Sequence, residues 1–434
     1  MSQRCVKVGL LGLGTVGGGV ARMLLEEKQR LSSRLGAELV LERAVDLDPA
    51  LARDQGIPPE RFSTDAGAVL DDPEIDIVVE LIGGLEPARS FMLKAINSGK
   101  QVATANKMLL AHHGVEIFAA ARQHRVGVAF EAAVGGGIPL IRSLREGLAA
   151  DCIVSCLGIL NGTCNYILSR MTSEGAPFQE VLAEAQAKGY AEADPTMDVE
   201  GLDTAHKLAI VAALITGAQP DIADIYTEGI SAIEPVDIQL AGEFGYRVKL
   251  LAILRNLGGK VEARVHPALV PADHVLASIE GPFNALHIHG DWVGDVLLYG
   301  QGAGRRPTTS AVMGDVMDLA RGIVAGCPDR VPPLGDAGAE GGRLEIAPMD
   351  DTACQYYFRC LALDQPGVLA TVSRVLADHR ISIKSVIQKG RSSSGPVNIV
   401  MVTHEAREKA VRAALKEIDQ LPVIAEPTRL IRRA

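Results

Sequence analysis

The sequence predicts an α/β protein that begins with an open, doubly wound parallel sheet. Over roughly the first 130 residues, short apolar runs alternate with segments of helical periodicity, which implies parallel strands joined by right-handed crossovers. A turn rich in glycine separates the first strand from the first helix. The chain has 434 residues, 47% of them hydrophobic and 4% aromatic, so two or three domains with sizeable cores are expected.

The glycine-rich turn joins the predicted strand Val6–Leu11 to a helical segment from Thr15 to about Gln29. Its spacing, glycine-x-glycine-x-x-glycine, lets the backbone bend sharply, approach an anion and pack the helix closely on the strand. The helix N-terminus then offers unpaired N–H groups and a positive dipole end to phosphates. The motif predicts a Rossmann-type NAD(P)-binding domain over residues 1–134, with a plain glycine-rich turn as the alternative. The residues expected at the cofactor are Gly12, Gly14, Thr15, Val16 and Gly17.

The rest of this domain continues the alternation of strands and helices. The carboxyl ends of parallel strands meet at one edge, where such sheets bind ligands. Asp46, directly after the second strand, is therefore the predicted partner of the cofactor ribose. Asp48 follows, with no Lys or Arg before Arg53, so the local charge favours NAD over NADP. The further predicted strands are Leu39–Val45, Ile75–Ile82, Gln101–Thr104 and Val126–Phe130, and the further helices are Pro87–Ser98 and Met108–His124.

Two segments at strand ends carry chemistry in this domain. In the sequence Thr104-Ala105-Asn106-Lys107, Thr104 is expected at the cofactor. Lys107 is expected in the crevice, to bind substrate or the nicotinamide end, and a surface lysine is the alternative. The segment Glu131–Pro139 places a carboxylate before a glycine-rich backbone. Such a segment either gathers oxygens around a hard cation or serves as a hinge.

Beyond residue 134 the pattern changes, and residues 135–306 are interpreted as an inserted α+β domain for substrate binding, catalysis and dimerisation. Near its end, Gly302 and Gly304 lie in a glycine loop before a helix, and they either touch the cofactor or form a simple turn. The helix over 307–325 is expected to pack back on the first domain. The strands predicted here are Ile153–Leu160 and Val248–Leu254, and the helices are Phe178–Lys188 and Leu202–Thr216.

The C-terminal part separates into a linker and a small module. Residues 331–350 are rich in Gly, Pro and Ala and lack periodicity, so they predict a linker. Residues 351–434 have the order βαββαβ, which is typical of a ferredoxin-like module. Its predicted elements are, in order, Tyr356–Asp364, Val368–His379, Ile381–Gln388, Val397–Thr403, Ala406–Asp419 and Val423–Arg429.

The densest cluster of polar residues lies between Lys188 and Lys207. Asp203 and Lys207 are four residues apart, so both project from one helical face, and a solvated ion pair is the simplest interpretation. However, the helix continues as an almost entirely apolar run, which implies burial. Hydride transfer to a carbonyl leaves a developing alkoxide, and a partly buried ammonium is a suitable proton donor for it. The acidic loop before the helix could hold a cationic substrate group.

The bulk properties exclude several classes of protein. A formal net charge of −10 argues against a nucleic-acid partner, because phosphate binding needs a basic face. No apolar stretch approaches the length of a membrane span, and the N-terminus passes directly into a strand without a secretory apolar region. The seven cysteines include no CxxC pair, which fits a reducing cytoplasm. A cytoplasmic protein without nucleic-acid or membrane partners is expected.

Taken together, the motifs resemble the homoserine dehydrogenases, in the monofunctional form with a C-terminal ACT domain. The resemblance spans almost the whole chain, and the stretch from Gly189 to Lys207 is its most specific part. The segments that carry it are Gly12–Gly17, Thr104–Lys107, Glu131–Pro139, Gly189–Lys207 and Gly300–Pro307.

The resemblance implies a function and a role for each candidate residue. The activity is reversible NAD(P)-dependent interconversion of L-homoserine and L-aspartate 4-semialdehyde, in threonine, methionine and isoleucine biosynthesis. Lys207 is implied as the proton donor or acceptor and Asp203 as its support at the substrate hydroxyl. The residues implied to bind substrate are Gly189, Glu192, Asp198 and Lys107.

The resemblance also implies a metal ion, a regulator and an assembly. A structural sodium ion is implied at Glu131 and the carbonyls of Val134, Gly136 and Ile138. The turn Asp364–Leu369 resembles the opening of an ACT domain, where threonine is the expected feedback regulator, and a homo-oligomer, dimer or tetramer, is implied. Family members that prefer NADPH commonly carry a basic residue after the second strand, which this chain lacks; both NADP and NAD therefore stay open.

Two other functions fit part of the pattern. One is another ACT-regulated, NAD(P)-dependent hydroxy-acid dehydrogenase, although such enzymes need a His–acid or Arg–His set that the sequence does not place convincingly. The other is a non-enzymatic binding protein that senses nucleotides and amino acids, which would have no use for a buried lysine–acid pair.

Overall fold

The computed structural model describes residues 4–335, 344–388 and 395–434. The predicted linker over 331–350 falls in part on residues 336–343, which lie outside the described residues. Contacts divide the chain into two compact units. The first comprises Met1–Ile153, His206–Asp224 and Asn284–Leu344, and the second comprises Val154–Ala205, Ile225–Phe283 and Glu345–Ala434. None of the helices in the described part combines the length and the apolar character needed to cross a bilayer.

Strands and helices alternate along most of the chain. The strands are β1 (Cys5–Leu11), β2 (Glu38–Val45), β3 (Phe62–Ser63), β4 (Ile77–Glu80), β5 (Gln101–Thr104), β6 (Val128–Ala129), β7 (Ile153–Ile159), β8 (Tyr226–Thr227), β9 (Tyr246–Asn256), β10 (Val261–Pro271), β11 (Phe283–Gly290), β12 (Gly294–Gln301), β13 (Ala353–Cys354), β14 (Tyr356–Leu363), β15 (Ile383–Gln388), β16 (Pro396–Thr403), β17 (Ala406–Arg407) and β18 (Arg429–Arg433). The α-helices are α1 (Thr15–Glu26), α2 (Lys28–Leu35), α3 (Pro49–Asp54), α4 (Gly67–Leu70), α5 (Ala88–Asn97), α6 (Lys107–His124), α7 (Leu140–Arg142), α8 (Gly162–Glu174), α9 (Phe178–Ala187), α10 (Thr196–Val199), α11 (Leu202–Thr216), α12 (Pro235–Glu243), α13 (Arg305–Ala325), α14 (Val368–Asp378) and α15 (Glu408–Ile418).

The first unit is built on a six-stranded sheet with the order β3-β2-β1-β4-β5-β6. Every neighbouring pair in it is parallel, which confirms the predicted doubly wound α/β fold. The helix predicted from Thr15 to Gln29 is wrong at its end, because the chain leaves helical geometry at Glu27 and α2 follows. This extra helix lengthens the connection between the glycine turn and β2.

The core of this unit combines sheet, α1 and the late helix α13. Side chains of α13, including Val312 and Val316, are fully buried in the same cluster as Val8 and Val20. The two helices approach so closely that a Cβ on Gly19 would lie 2.2 Å from the Thr309 hydroxyl oxygen. Helix α13, which follows β12, therefore completes the hydrophobic layer on this face of the six-stranded sheet.

The second unit has a mixed sheet in which the C-terminal module continues the strands of the middle of the chain. Its strands run in the order β7-β9-β10-β18-β14-β16-β15. The last strand, β18, lies parallel to β10 on one side and antiparallel to β14 on the other. Helices α14 and α15 pack over this module in a separate apolar cluster that includes Val372 and Val411, which confirms the ferredoxin-like arrangement.

The final strand differs from its predicted position at Val423–Arg429. The apolar residues before Pro427 make only a bridge between Ile424 and Ala362. The strand forms later, over Arg429–Arg433, because there the backbone can pair with two neighbours at once. Hydrophobicity alone pointed to the wrong run, since both faces of β18 also carry arginines.

A buried ion pair lies where β18 joins β10. Arg432 and Glu408 are each 1% exposed, and the guanidinium donates to both carboxylate oxygens at 2.9 and 2.7 Å. Arg432 also donates to Glu228 at 2.9 Å. Burial opposes ionisation of Glu408, but hydrogen bonds and attraction from Arg432 and Arg412 lower its pKa below the ordinary value. Its stabilising contribution is therefore present above the unfolded pKa and is lost as the pH falls through the folded pKa.

We expect Arg432→Met to destabilise the second unit by about 3–5 kcal/mol, because it leaves Glu408 buried without its bidentate partner. Urea unfolding followed by circular dichroism measures this loss, and amide hydrogen exchange of the peptide containing β18 locates it. Arg429→Met is the matched control on the same strand: its partner Glu234 is 3.3 Å away and both side chains are over 40% exposed, so the loss should stay below about 1 kcal/mol. Equal losses in the two variants would contradict the importance of the buried pair.

Candidate active site

The glycine turn of the first unit has the geometry expected of a phosphate-binding turn. Gly12 adopts φ +94°, and a Cβ there would lie 2.7 Å from the Leu81 carbonyl oxygen. A Cβ on Gly17 would lie 1.9 Å from the carbonyl oxygen of Gly12, so α1 starts directly against the turn. In contrast, a Cβ on Gly14 would meet open space, and Gly14 and Thr15 are exposed while Val16 is half-buried. The first N–H groups of α1 thus border an open approach.

Asp46 lies beside this turn, at the carboxyl end of β2. Its carboxylate accepts the backbone N–H of Leu13 at 2.6 Å and that of Asp48 at 3.0 Å. These bonds tie the end of β2 to the middle of the glycine turn and fix a half-buried carboxylate there. The position fits a partner for ribose hydroxyl groups, and it brings a negative charge to the place where an NADP 2′-phosphate would lie.

A polar network holds the carboxyl ends of β4 and β5. Glu80 is fully buried, accepts the Thr104 hydroxyl at 2.6 Å and accepts the backbone N–H of Ile82 at 2.8 Å. Asn106 caps α6 by accepting the N–H of Leu109 and donates its amide to the Gly84 carbonyl. Lys107, half-buried, is the first residue of α6. The network therefore fixes the backbone from which Lys107 projects at the ligand-binding edge.

The carboxylate of Glu131 is buried and held by the chain that follows it. Its two oxygens accept the backbone N–H groups of Ile141 at 2.6 Å and Arg142 at 3.0 Å. The Glu131 N–H in turn donates to Asp315 of α13 at 2.8 Å. Burial raises the pKa of Glu131. Burial and, after it, the nearby Glu131 charge raise the pKa of Asp315 to about 8.

The two later glycine segments of the first unit pack against each other. A Cβ on Gly136 would lie 2.3 Å from the carbonyl oxygen of Gly302, and one on Gly302 would lie 2.0 Å from the Asn284 side chain. Gly137 N–H donates to the Gln301 carbonyl at 3.0 Å. Gly304, with φ +115°, is the N-cap of α13. Glycine at 136 thus allows a close contact with the backbone of Gly302, and at Gly302 the Asn284 side chain fills the space that a Cβ would take.

In the second unit, one amide joins the two acidic residues that open α10 and α11. Asn161 Nδ2 donates to Asp198 Oδ1 at 2.7 Å and to Asp203 Oδ2 at 3.0 Å. Asn161 and Asp203 are 4% and 6% exposed, whereas Asp198 is half-buried. The structure therefore brings together Asp198 and Asp203, which the sequence had singled out separately.

The loop between α9 and α10 has a defined backbone. Gly189, with φ +73°, ends α9, and the carbonyl of Tyr190 accepts the Thr163 hydroxyl at 2.6 Å. Gln186 donates to the carbonyl oxygen of Glu192 at 3.1 Å, which leaves the Glu192 side chain exposed. The first turn of α8 thus holds the start of the candidate substrate loop, and α9 holds its middle.

Lys207 lies on α11, one turn beyond Asp203, and is half-buried. The helix is buried on most sides after this point, as its burial pattern shows. His206 is also buried, but its ring lies 5.3 Å from the His112 ring, edge to face, so it belongs to the packing of α6 against α11. An acid and an amine one turn apart on a mostly buried helix can share a proton with a ligand oxygen.

Several polar residues of these sites were missed by sequence reasoning, although most left a signal. Glu80 is an acid inside an apolar strand. Asn161 lies two residues after the end of β7 and directly before α8, which is the position of a helix N-cap, and Thr163 lies in the first turn of that helix. Asp315 falls on the apolar stripe of α13, between Val312 and Leu319.

Family models match almost the whole of this arrangement. A model described as the NAD-binding domain of homoserine dehydrogenase matches residues 12–131, and a model described as homoserine dehydrogenase matches residues 139–317. A third, the ACT domain, matches residues 356–423. The matched regions include the glycine turn, the substrate loop and the C-terminal module.

Individual relatives include two that match this chain over almost its full length. A homoserine dehydrogenase of Neisseria gonorrhoeae is 46% identical over 98% of each chain. A crystal structure of a homoserine dehydrogenase from Thiobacillus denitrificans superposes with a TM-score of 0.93 and 47% identity, covering 100% of this chain and 99% of that one. A hyperthermophilic archaeal homoserine dehydrogenase in complex with NADPH has a TM-score of 0.62 and 26% identity over 72% of this chain and 97% of that one.

The buried carboxyl of Asp315 generates a pH-dependent prediction. Because the pKa of Asp315 is about 8 in the folded protein, its carboxyl keeps a proton there that the unfolded chain releases near pH 4. The free energy of unfolding therefore falls as the pH rises from about 4 to about 8. Asp315→Asn removes the contribution of this proton to the free energy of unfolding. We expect the unfolding free energy of the variant, relative to the unsubstituted protein, to rise by on the order of 3 kcal/mol between pH 5 and pH 8.

Urea unfolding at several pH values, in tetramethylammonium buffers that contain no small alkali cation, measures this difference. Asp318→Asn is the control on the same helix, since Asp318 pairs with Arg142 at 3.7 Å and is partly exposed. Its difference from the unsubstituted protein should not change with pH over the window. Parallel stability curves for Asp315→Asn and the unsubstituted protein would contradict a proton held at Asp315.

Proposed function

The chain belongs to the homoserine dehydrogenase family and is an NAD(P)-dependent oxidoreductase, and on this premise we propose that it interconverts L-homoserine and L-aspartate 4-semialdehyde. The observation that carries the proposal is the placement of Asp203 and Lys207 one turn apart on α11, with Asp203 tied through Asn161 to Asp198. An acid–amine pair beside further acids suits a substrate that carries both a hydroxyl group and an ammonium group.

In this proposal Lys207 carries the proton of the substrate oxygen. Bound NAD(P)⁺ supplies the hydride acceptor. During oxidation the neutral Lys207 amine takes the hydroxyl proton while the carbon–oxygen bond becomes a carbonyl; in reduction the ammonium returns the proton to the forming alkoxide. Asp203 orients the substrate hydroxyl group. Proton and hydride leave the substrate by separate routes, so the two-electron oxidation balances.

The remaining candidate residues bind the amino-acid end and orient the reacting end of the substrate. Asp198 and Glu192 supply negative charge for the substrate ammonium group, and the Gly189 backbone shapes the loop. Lys107, at the carboxyl edge of the sheet, is assigned to the reacting end of the substrate near the nicotinamide. The support for these assignments is the defined loop backbone described above and the network under Lys107.

For the cofactor, we propose that NAD(H) is used at least as well as NADP(H). Asp46 holds a negative charge beside the glycine turn, and Asp48 follows it, so a 2′-phosphate meets repulsion rather than a basic partner. The archaeal relative was solved with NADPH, which makes the comparison of NADH and NADPH rates at matched concentrations informative.

We also propose a structural sodium ion at Glu131. The donors, one carboxylate with the carbonyls of Val134, Gly136 and Ile138, are hard oxygens that suit such a cation. Glu131 is 7% exposed and burial raises the pKa of its carboxyl group, so a cation beside it would offset the cost of burying a negative charge. Gly136, with φ +56°, gives the loop the bend that directs successive carbonyls.

A homo-oligomer and a cytoplasmic location complete the proposal. The hairpin of β11 and β12 exposes large apolar side chains on the first unit: Trp292 is 87% exposed and Tyr299 is 51% exposed. Apolar exposure of this kind is typical of an interaction surface, and a second copy of the chain is the proposed partner. All seven cysteines carry free thiols, as expected in a reducing compartment.

Substitution of Lys207 tests the proposed chemistry. We expect Lys207→Ala to lower kcat for homoserine oxidation by about 10²–10⁴-fold, because the reaction loses its proton carrier. Lys207→Arg should be nearly as inactive, since a guanidinium keeps the charge but does not release a proton at neutral pH. Steady-state rates of NAD(P)H formation measure both effects.

Binding of NADH, followed by its fluorescence, should be unchanged in both variants and thus shows that the first unit remains folded. Lys94→Ala, on the exposed side of α5 beside Asp71, is the control and should keep full activity. Near-normal turnover in Lys207→Ala with intact cofactor binding would refute the role of this lysine.

We propose that the C-terminal module makes the enzyme sensitive to threonine. The module matches the ACT family, and its first turn ends at Gly367, which has φ +92° and precedes α14. Asp364, in that turn, is exposed. At such a turn the side-chain carboxylate can bind the ammonium group of a free amino acid. The backbone N–H groups at the helix N-terminus can bind its carboxylate.

Millimolar threonine is therefore expected to inhibit the unsubstituted enzyme. Asp364→Ala should raise the half-inhibitory threonine concentration by about tenfold or more, which corresponds to losing about 1.4 kcal/mol of binding, without changing the rate measured in the absence of threonine. Asp378→Ala, an exposed acid at the other end of α14, is the control and should leave inhibition unchanged. A rate that does not respond to threonine in the unsubstituted enzyme would exclude this regulation.

A further inference from the structure

Asn161 occupies a junction between the substrate loop and the helix that opens the second unit. It follows β7, adopts extended geometry and forms the N-cap of α8, where its Oδ1 accepts the N–H of Cys164 at 2.8 Å. Only 4% of the residue is exposed. Helix capping alone would explain an asparagine here, since Asn, Asp and Ser are equally good N-caps.

The other end of the same amide does something that capping does not require. Both hydrogens of Nδ2 point to carboxylates, one to Asp198 and one to Asp203, at 2.7 and 3.0 Å. The three bonds fix the orientation of the amide, because a rotated amide would place its oxygen against both negative charges. Neither Asp nor Ser can cap the helix and also donate to two carboxylates.

The first turn of α8 also holds the main chain of Asp198. The Cys164 thiol contacts the Asp198 carbonyl oxygen at 3.1 Å, so side chain and backbone of this aspartate are both tied to α8. The Thr163 hydroxyl meanwhile holds the Tyr190 carbonyl. The substrate loop at Tyr190, helix α10 at Asp198 and helix α11 at Asp203 are thus all held by the N-cap and first turn of α8.

Two carboxylates that contact the same nitrogen repel each other. Hydrogen-bond donors between them offset this repulsion. From this geometry we propose that Asn161 is a positioning residue of the dehydrogenase, which holds Asp198 and Asp203 at the spacing that receives the substrate ammonium and hydroxyl groups. The inference rests on the function proposed above. It assigns Asn161 no contact with substrate: its effect is carried by the two carboxylates.

The test compares substitutions that keep the cap but change the bridge. Asn161→Ser retains an N-cap oxygen and loses the two donors, and we expect kcat/KM for homoserine to fall about 10–100-fold. Asn161→Asp retains the cap and places a third carboxylate against the other two, so the fall should be larger, about 1,000-fold. KM for the nucleotide should change less than about twofold in both, which a general loss of structure would not produce.

Asn165→Ser is the matched control, one turn later on α8. Asn165 is 1% exposed and donates to backbone carbonyls of Ile279 and Gly281, so its replacement should lower the melting temperature while the folded enzyme keeps kcat/KM within about threefold. The proposal is overturned if Asn161→Ser keeps kcat/KM within about threefold. It is also overturned if Asn161→Ser and Asn165→Ser lower kcat/KM by the same factor for the same loss of melting temperature.

Crystal structures of the unsubstituted protein and of Asn161→Ser separate this inference from the proposed function. Displaced Asp198 and Asp203 carboxylates in the variant support the positioning role, and unchanged carboxylate positions refute it, whatever the activity. An unsubstituted protein that turns over neither homoserine nor aspartate semialdehyde, with either nucleotide, refutes the proposed function instead.

Discussion

The cofactor half of this molecule depends on a backbone approach that only glycine allows. Because a Cβ on Gly17 would lie 1.9 Å from the Gly12 carbonyl oxygen, only glycine lets helix α1 start directly against the turn that ends β1. The other features of this edge of the sheet are arranged around this approach. Asp46 holds the turn from the side of β2, and the Glu80–Thr104 pair fixes the ends of the next two strands.

Buried carboxylates are a common device on both units, and each is satisfied by N–H or O–H donors. Glu80 accepts from a threonine and from backbone N–H groups, Glu131 from the start of a helix, and Asp203 from an asparagine amide. A buried negative charge without such donors would be protonated or would be expelled to solvent. The donors therefore fix the direction in which each of these carboxylates points.

Much of the fold could be predicted from the sequence because its signals are local. The strands ending at Leu11 and Thr104, helix α11 and the glycine turn follow from periodicity, caps and glycine spacing, and the structure confirms them. The position of β18 could not be found in this way, because it depends on pairing with β10, about 160 residues earlier in the chain.

The candidate site was predictable to a similar extent. Asp203 and Lys207 share a helix, so their spacing revealed them. The link from Asp203 to Asp198 passes through Asn161, about 40 residues away in sequence, and only the folded chain shows that one amide serves both. Asp315 likewise acquires its raised pKa from burial beside Glu131, and no pattern in either segment records that proximity.

The pairing of β18 with β10 has a consequence for how this enzyme could be altered. A chain cut before β18 would leave the edge of β10 with open hydrogen-bonding groups, and exposed strand edges template aggregation. The C-terminal module thus shares one continuous sheet with strands from the middle of the chain. Single side chains of the module can be changed without opening this edge, whereas removal of the whole module would expose it.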